Sequence, residues 1–181
     1  MNYKRNPHQL LIKKIFFLLG LTFSSITNAD TSALYSYKSL NLDLANQAAV
    51  TVISTCRKLG YSVAVTIVDR GGNVQVTLRD RFAGPHTVET ATRKAWTANS
   101  FRQSTSTLAQ LLKENKIPSQ VQHNPGALLV GGGEVIQAQG ETIGGIGVSG
   151  APPGKSEKKS IDGQCAIAGL LAIQDELEFS Q

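Results

Sequence analysis

Between residues 126 and 154 the chain holds ten of its seventeen glycines, in the run Gly126-Ala-Leu-Leu-Val-Gly-Gly-Gly-Glu-Val-Ile-Gln-Ala-Gln-Gly-Glu-Thr-Ile-Gly-Gly-Ile-Gly-Val-Ser-Gly-Ala-Pro-Pro-Gly154. Glycine has no Cβ, so it admits positive φ and lets a second backbone or a ligand come closer than other residues allow. The apolar pieces between the glycines, Ala127–Val130, Val135–Ala138 and Thr142–Val148, are strand-length and rich in Val and Ile. The run predicts two or three short strands joined by tight glycine turns.

Inside it, Gly145-Ile-Gly147-Val-Ser-Gly150 matches G-x-G-x-x-G letter for letter. That pattern binds a dinucleotide only where a strand precedes it and a helix opens on it to receive the pyrophosphate. Here Ala151-Pro152-Pro153-Gly154 follows, and two prolines cannot continue a helix from the third glycine. No acidic residue closes a following strand to take a ribose. The segment reads as a Gly-rich hairpin and strand exit.

The N-terminus has another logic. Lys4, Arg5, Lys13 and Lys14 precede the apolar core Ile15–Phe23, and Thr27-Asn28-Ala29 offers small residues where a signal peptidase reads. Residues 1–29 are therefore expected to be a cleaved signal peptide, which makes the protein periplasmic or secreted. The apolar core is shorter than the roughly 20 residues a membrane span needs, so no membrane association is expected after cleavage. The signal also accounts for most of the basic balance. The whole chain has 18 basic and 13 acidic residues, whereas residues 30–181 carry 14 and 13. A nucleic-acid partner needs a basic stripe, and Lys155, Lys158 and Lys159 read instead as a solvated helix start. The remaining 152 residues fit a single domain, 30–181, with Asp30–Tyr37 as a loose leader.

Along that domain, Leu40–Leu59 has apolar residues at helical spacing and stops at Gly60. Ser62–Val68 and Val74–Leu78 are strands around Asp69-Arg-Gly-Gly-Asn73, a hairpin signal. Val88–Phe101 is helical, with Ala91, Ala95 and Ala98 forming a small-residue face suited to lying close on a sheet. Thr107–Asn115 reads as another helix and Ser160–Leu177 as a closing one. Hairpins force antiparallel pairing, so the fold class is α+β, an antiparallel sheet flanked by helices.

Two histidines remain after cleavage. His86 stands between a strand end and a helix start, with Arg79, Arg81 and Arg93 near it in sequence. Imidazole is a common iron ligand, and guanidinium pairs with carboxylates such as haem propionates. The alternative for His86 is a hydrogen bond at the helix start, and His123 reads as a loop residue. Cys-x-x-Cys, His-x-x-x-His and Cys-x-x-Cys-His are all absent, which argues against a dedicated zinc site and against covalent c-type haem. Gly-x-Ser-x-Gly is missing too. Asp69, Glu89, Glu134 and Glu141 are each read at turns or helix starts, where acids are ordinary.

Three ordered motifs together resemble the HbpS/GlcG haem-binding family. They are Val-Thr-Ile-Val-Asp69-Arg-Gly-Gly-Asn73-Val, then Ala-Gly-Pro-His86-Thr with Ala91-Thr-Arg-Lys94-Ala-Trp-Thr-Ala98, then Pro125-Gly126 through Gly131-Gly-Gly-Glu to Ile143-Gly-Gly-Ile-Gly-Val-Ser-Gly150. The resemblance covers nearly all of residues 30–181. It implies a profilin-like α/β sandwich, assembly into homo-oligomers, and non-covalent haem as the cofactor. Many members carry an acidic pair before the last helix, which only Asp162 matches here. The expected function is haem storage, sensing or transfer, with haem breakdown reported for some members. Binding of, or an enzyme activity on, a small organic acid or metabolite is the alternative, and a purely structural oligomer stands third. The family does not fix the iron ligand, so His86 rests on the residue reading. In the implied arrangement the terminal helices share one sheet face, which makes a Cys56–Cys165 bond feasible, with two small buried thiols as the other option.

Overall fold

The computed structural model describes residues 33–154 and 160–179. The expected signal peptide, residues 1–29, and the lysine cluster at 155–159 lie outside the described residues. The chain divides into a leading unit, Met1–Ser36, and a main unit, Tyr37–Gln181. In the leading unit, residues 33–36 carry no helix or strand. The main unit carries every helix and strand among the described residues.

It opens with helix α1, Leu42–Lys58, capped by the Asn41 carboxamide, which accepts from Leu44 N at 2.8 Å. Its buried stripe is Ala45, Ala48, Ala49, Val52, Ile53 and Cys56, the i, i+3, i+4 spacing of a one-sided helix. Strands β1, Ala64–Asp69, and β2, Val74–Arg79, form the expected hairpin. In its turn Gly72 takes φ +83, and the Asp69 carboxylate accepts from Asn73 N at 2.8 Å. Helix α2, Thr87–Phe101, and helix α3, Thr105–Lys113, follow, then a 3-10 turn at Ser119–His123. Strands β3, Gly133–Ala138, and β4, Glu141–Ser149, are joined through Gln139 and Gly140, both at positive φ, as a two-residue hairpin with the strands' twist requires. Helices α4, Ile161–Leu171, and α5, Gln174–Phe179, close the fold. Among the described residues no helix is long and apolar enough to cross a membrane.

The sheet has the order β2-β1-β4-β3 and is antiparallel throughout. Alternation along the strands gives it two distinct faces. Val65, Ile67, Ile136, Ile146 and Val148 pack against α1 and α4 in the main apolar core. Cys56 and Cys165 join those two helices in a disulfide, Cα–Cα 5.7 Å, closing a loop of sequence separation 109. The opposite face takes α2 with almost no side-chain thickness between. A methyl on Gly147 would strike the Ala91 carbonyl and lie 2.5 Å from Ala95 N, and one on Gly145 would strike the Ala95 carbonyl. The first two glycines of the apparent dinucleotide motif are thus the seat of a helix backbone, inside a strand, while Gly150, just past it, packs on Ser62 and Val63.

The glycine run gives two of the two or three strands expected, and the expected closing helix is broken in two. Ala127–Val130 is not a strand, because its backbone groups are taken by α2 side chains: Leu128 N donates to Thr97 Oγ1 at 2.8 Å and Ala127 O accepts from Arg93 Nη2 at 2.7 Å. The closing helix is also interrupted at Ala172–Ile173, where Ile173 is fully buried and turns the chain into the core.

Gly147→Ala should cost about 2–3 kcal/mol in urea unfolding, because neither backbone can retreat. Gly71→Ala, whose methyl meets only the flexible end of Asn73 and the Asp69 carboxylate, should cost under about 1 kcal/mol. Equal losses would contradict backbone-on-backbone packing of α2 on β4.

Candidate functional site

His86, just ahead of α2, and Thr90, Arg93 and Lys94 on it lie along one side, the spacing of side chains one above another on a helix. That side lines a cleft of about 420 Å³, closed by the loop through Leu128 and Val130, by the exit of β4 from Ser149 to Gly154, and by the start of α4. Leu128, Val130, Pro152 and Pro153 make part of the wall apolar.

His86 precedes α2 and its side chain makes no cap hydrogen bond. The neighbouring hydroxyls tie down the entry turn through its carbonyls: Thr87 Oγ1 donates to Gly84 O at 2.6 Å, and Thr90 Oγ1 to His86 O at 2.9 Å. The ring lies over Gly84, where a Cβ would come within 2.7 Å of its Cε1. Arg93 is aimed by its bond to Ala127 O. Behind them is a buried ion pair. Lys94 Nζ donates to Asp162 Oδ2 and to Val148 O, each at 3.0 Å, and the two side chains are 3% and 9% exposed. Asp162 Oδ1 accepts from Ala151 N at 3.0 Å. Burial pushes the Asp162 carboxyl up, against Lys94 and the Gly150 and Ala151 amides, which hold it down. Asp162 thereby ties together α2, the β4 exit and α4, three of the cleft's walls.

Of the four residues grouped by the sequence, His86 and Arg93 share this cleft and the other two do not. Arg79 donates to Ala83 O and faces a groove of about 600 Å³ between α1 and β2. Arg81 lies over the Phe82 ring, 5.3 Å from its centroid. The larger groove offers no imidazole, and its Arg57 is bound to Asp80 at 2.6 Å, a bond that also holds the Asp80 carboxyl below its ordinary range. The smaller cleft is therefore the better candidate. His123 ends the 3-10 turn, exposed, and lines neither.

Sequence reasoning missed the Lys94–Asp162 pair and Ser149. The available signal was a lysine set inside the Ala91, Ala95 and Ala98 face, where a cation without a partner would be untenable. Glu134 was also misread: it sits within β3, opposite Ile146, and burial alone pushes its carboxyl up to about 7. Asp69, Glu89 and Glu141 do lie at a strand end, a helix start and a strand start.

Residues 40–171 match the profile of a family described as haem degrading protein HbpS-like. A double mutant of Streptomyces reticuli HbpS is 38% identical in its solved structure, covering 80% of this chain and 94% of that one, with a TM-score of 0.71. The solved complex of PduOC with heme is 28% identical, covering 75% and 96%, with a TM-score of 0.66. The corrinoid adenosyltransferase PduO of Salmonella typhimurium is 31% identical over 127 residues, 69% of this chain and 37% of that protein. The chain thus spans less than two fifths of the curated relatives it matches.

Glu134 gives a pH signature. Its folded-state pKa, raised from 4.5 to about 7, means that the folded protein holds this proton more tightly than the unfolded chain. Stability should fall as pH rises from about 4.5 to 7, and Glu134→Gln should recover about 1–3 kcal/mol at pH 8 and almost nothing at pH 4. Equal effects at both pH values in urea titrations would contradict a desolvated carboxyl.

Proposed function

The chain belongs to the haem degrading protein HbpS-like family, and from that premise we propose that it binds haem non-covalently in the cleft along the first half of α2. The observation that carries the reading is an imidazole without a capping role, His86, standing beside apolar wall from Leu128, Val130, Pro152 and Pro153. Imidazole is a common haem iron ligand, and a porphyrin face needs apolar surface to leave water. Arg93, aimed by Ala127 O, is the partner proposed for a propionate. Iron chemistry would come from the bound haem, while the chain supplies orientation and a drier surrounding. The solved haem complex of PduOC supports the same ligand class. The role we assign is storage, sensing or transfer of haem.

Export belongs to the same proposal. The basic start, short apolar core and Thr27-Asn28-Ala29 direct secretion, with cleavage before Asp30. The Cys56–Cys165 disulfide supports it, since such bonds persist in oxidising compartments. N-terminal sequencing of periplasmic or secreted protein should read from Asp30, and an intact Met1 there would contradict export by cleavage.

Hemin titration of protein starting at Asp30 tests the ligand. We expect a Soret band, shifted and with affinity lowered about tenfold or more in His86→Ala. His123→Ala and Arg79→Ala, away from the cleft, should change little. An unchanged spectrum and affinity in His86→Ala would move the iron ligand elsewhere and bring the small-metabolite reading forward.

A further inference from the structure

The inner end of the cleft carries polar groups that iron ligation leaves unused. Ser149 is the last residue of β4, 6% exposed, on the glycine face toward α2, and it lines the cleft. Its hydroxyl has no partner among the described residues. Beside it in the chain is Val148, whose carbonyl receives Lys94 Nζ. An ammonium has three donors, and Lys94 uses two, on Val148 O and Asp162 Oδ2. The third has no partner among the described residues. Gly132 packs closely against this group, since a Cβ on it would stand 3.0 Å from Nζ and 2.7 Å from Val148 O.

We propose that this inner end is a subsite for one carboxylate, held by the Ser149 hydroxyl and the third N–H of Lys94. A hydroxyl and an ammonium are donors matched to carboxylate oxygens. Two sources present this chemistry: a propionate arm of haem, in which case the subsite rests on the haem reading above, or a free small carboxylic acid, in which case it does not.

The test compares hemin, hemin dimethyl ester and sodium propionate on wild-type protein and on Ser149→Ala, a change small enough to keep the fold, checked by thermal melting. If haem supplies the carboxylate, the ester binds wild type about tenfold more weakly than hemin. Ser149→Ala then closes that gap without moving the Soret maximum. If a free acid is the ligand, propionate shifts the backbone amide resonances of Ser149 and Ala151 in wild type and leaves them unmoved in the variant. Propionate binding of that kind without hemin binding would sink the haem reading and uphold the subsite. Equal affinity for hemin and its ester, together with amide signals indifferent to propionate, would overturn the subsite. So would a hemin preference that survives unchanged in Ser149→Ala.

Discussion

The absence of side chains at Gly145 and Gly147 lets the backbone of α2 rest on the backbone of β4, and the rest of the site depends on that approach. A methyl at either position would lift the helix away from the strand. His86, Arg93 and Lys94 all ride on or at the start of α2, and Ser149 ends the strand beneath it. The same economy recurs at Gly133, where a Cβ would strike the Lys94 carbonyl and lie 2.6 Å from Thr105 Cγ2. The other sheet face is built the ordinary way, from interdigitated Val, Ile and Ala side chains under α1 and α4. One face is thus a conventional core and the other a close backbone contact that aims functional groups.

Two ion pairs illustrate where charge matters in this fold. Arg57–Asp80 is buried on one side only: the Arg side chain is 60% exposed and the Asp side chain 4%, and the two meet through a pair of parallel bonds, so water screens the guanidinium and not the carboxylate. Lys94–Asp162 is buried on both sides, so removing one partner strands the other and costs about 3–5 kcal/mol. Its specific value here is positional. Asp162 accepts from Lys94 and from the amide of Ala151, so α4, α2 and the β4 exit keep one register around the cleft.

Periodicity made most of the elements legible. The stripe from Ala45 to Cys56, the Asp69–Asn73 turn and the small face of α2 each express a local rule, and the structure follows them. What stayed hidden is non-local. Lys94 and Asp162 are 68 residues apart, and neither announces its partner. Arg79 and Arg81 are near His86 in sequence, yet β2 ends between α1 and the Ala83 turn and directs Arg79 to the far groove. Ala127–Val130 has strand composition, but Thr97 and Arg93 of α2 satisfy its backbone before any ladder does. Composition sees the propensity of a segment and not which donor reaches it first. The disulfide is hidden for the same reason, since pairing depends on two helices bringing their Cα atoms within bonding range, 5.7 Å here.

The central claim is that ligand, α2 and the β4 exit meet in one cleft. Paramagnetic broadening of assigned backbone amides on addition of hemin measures this directly, because ferric iron relaxes nuclei according to distance. The account predicts loss of signal at Thr87, Thr90 and Ala151, with Arg57, Leu78 and His123 left sharp. Broadening centred on the Arg57–Arg79 groove or on the 3-10 turn at Ser119–His123, or uniform broadening with no centre, would contradict it.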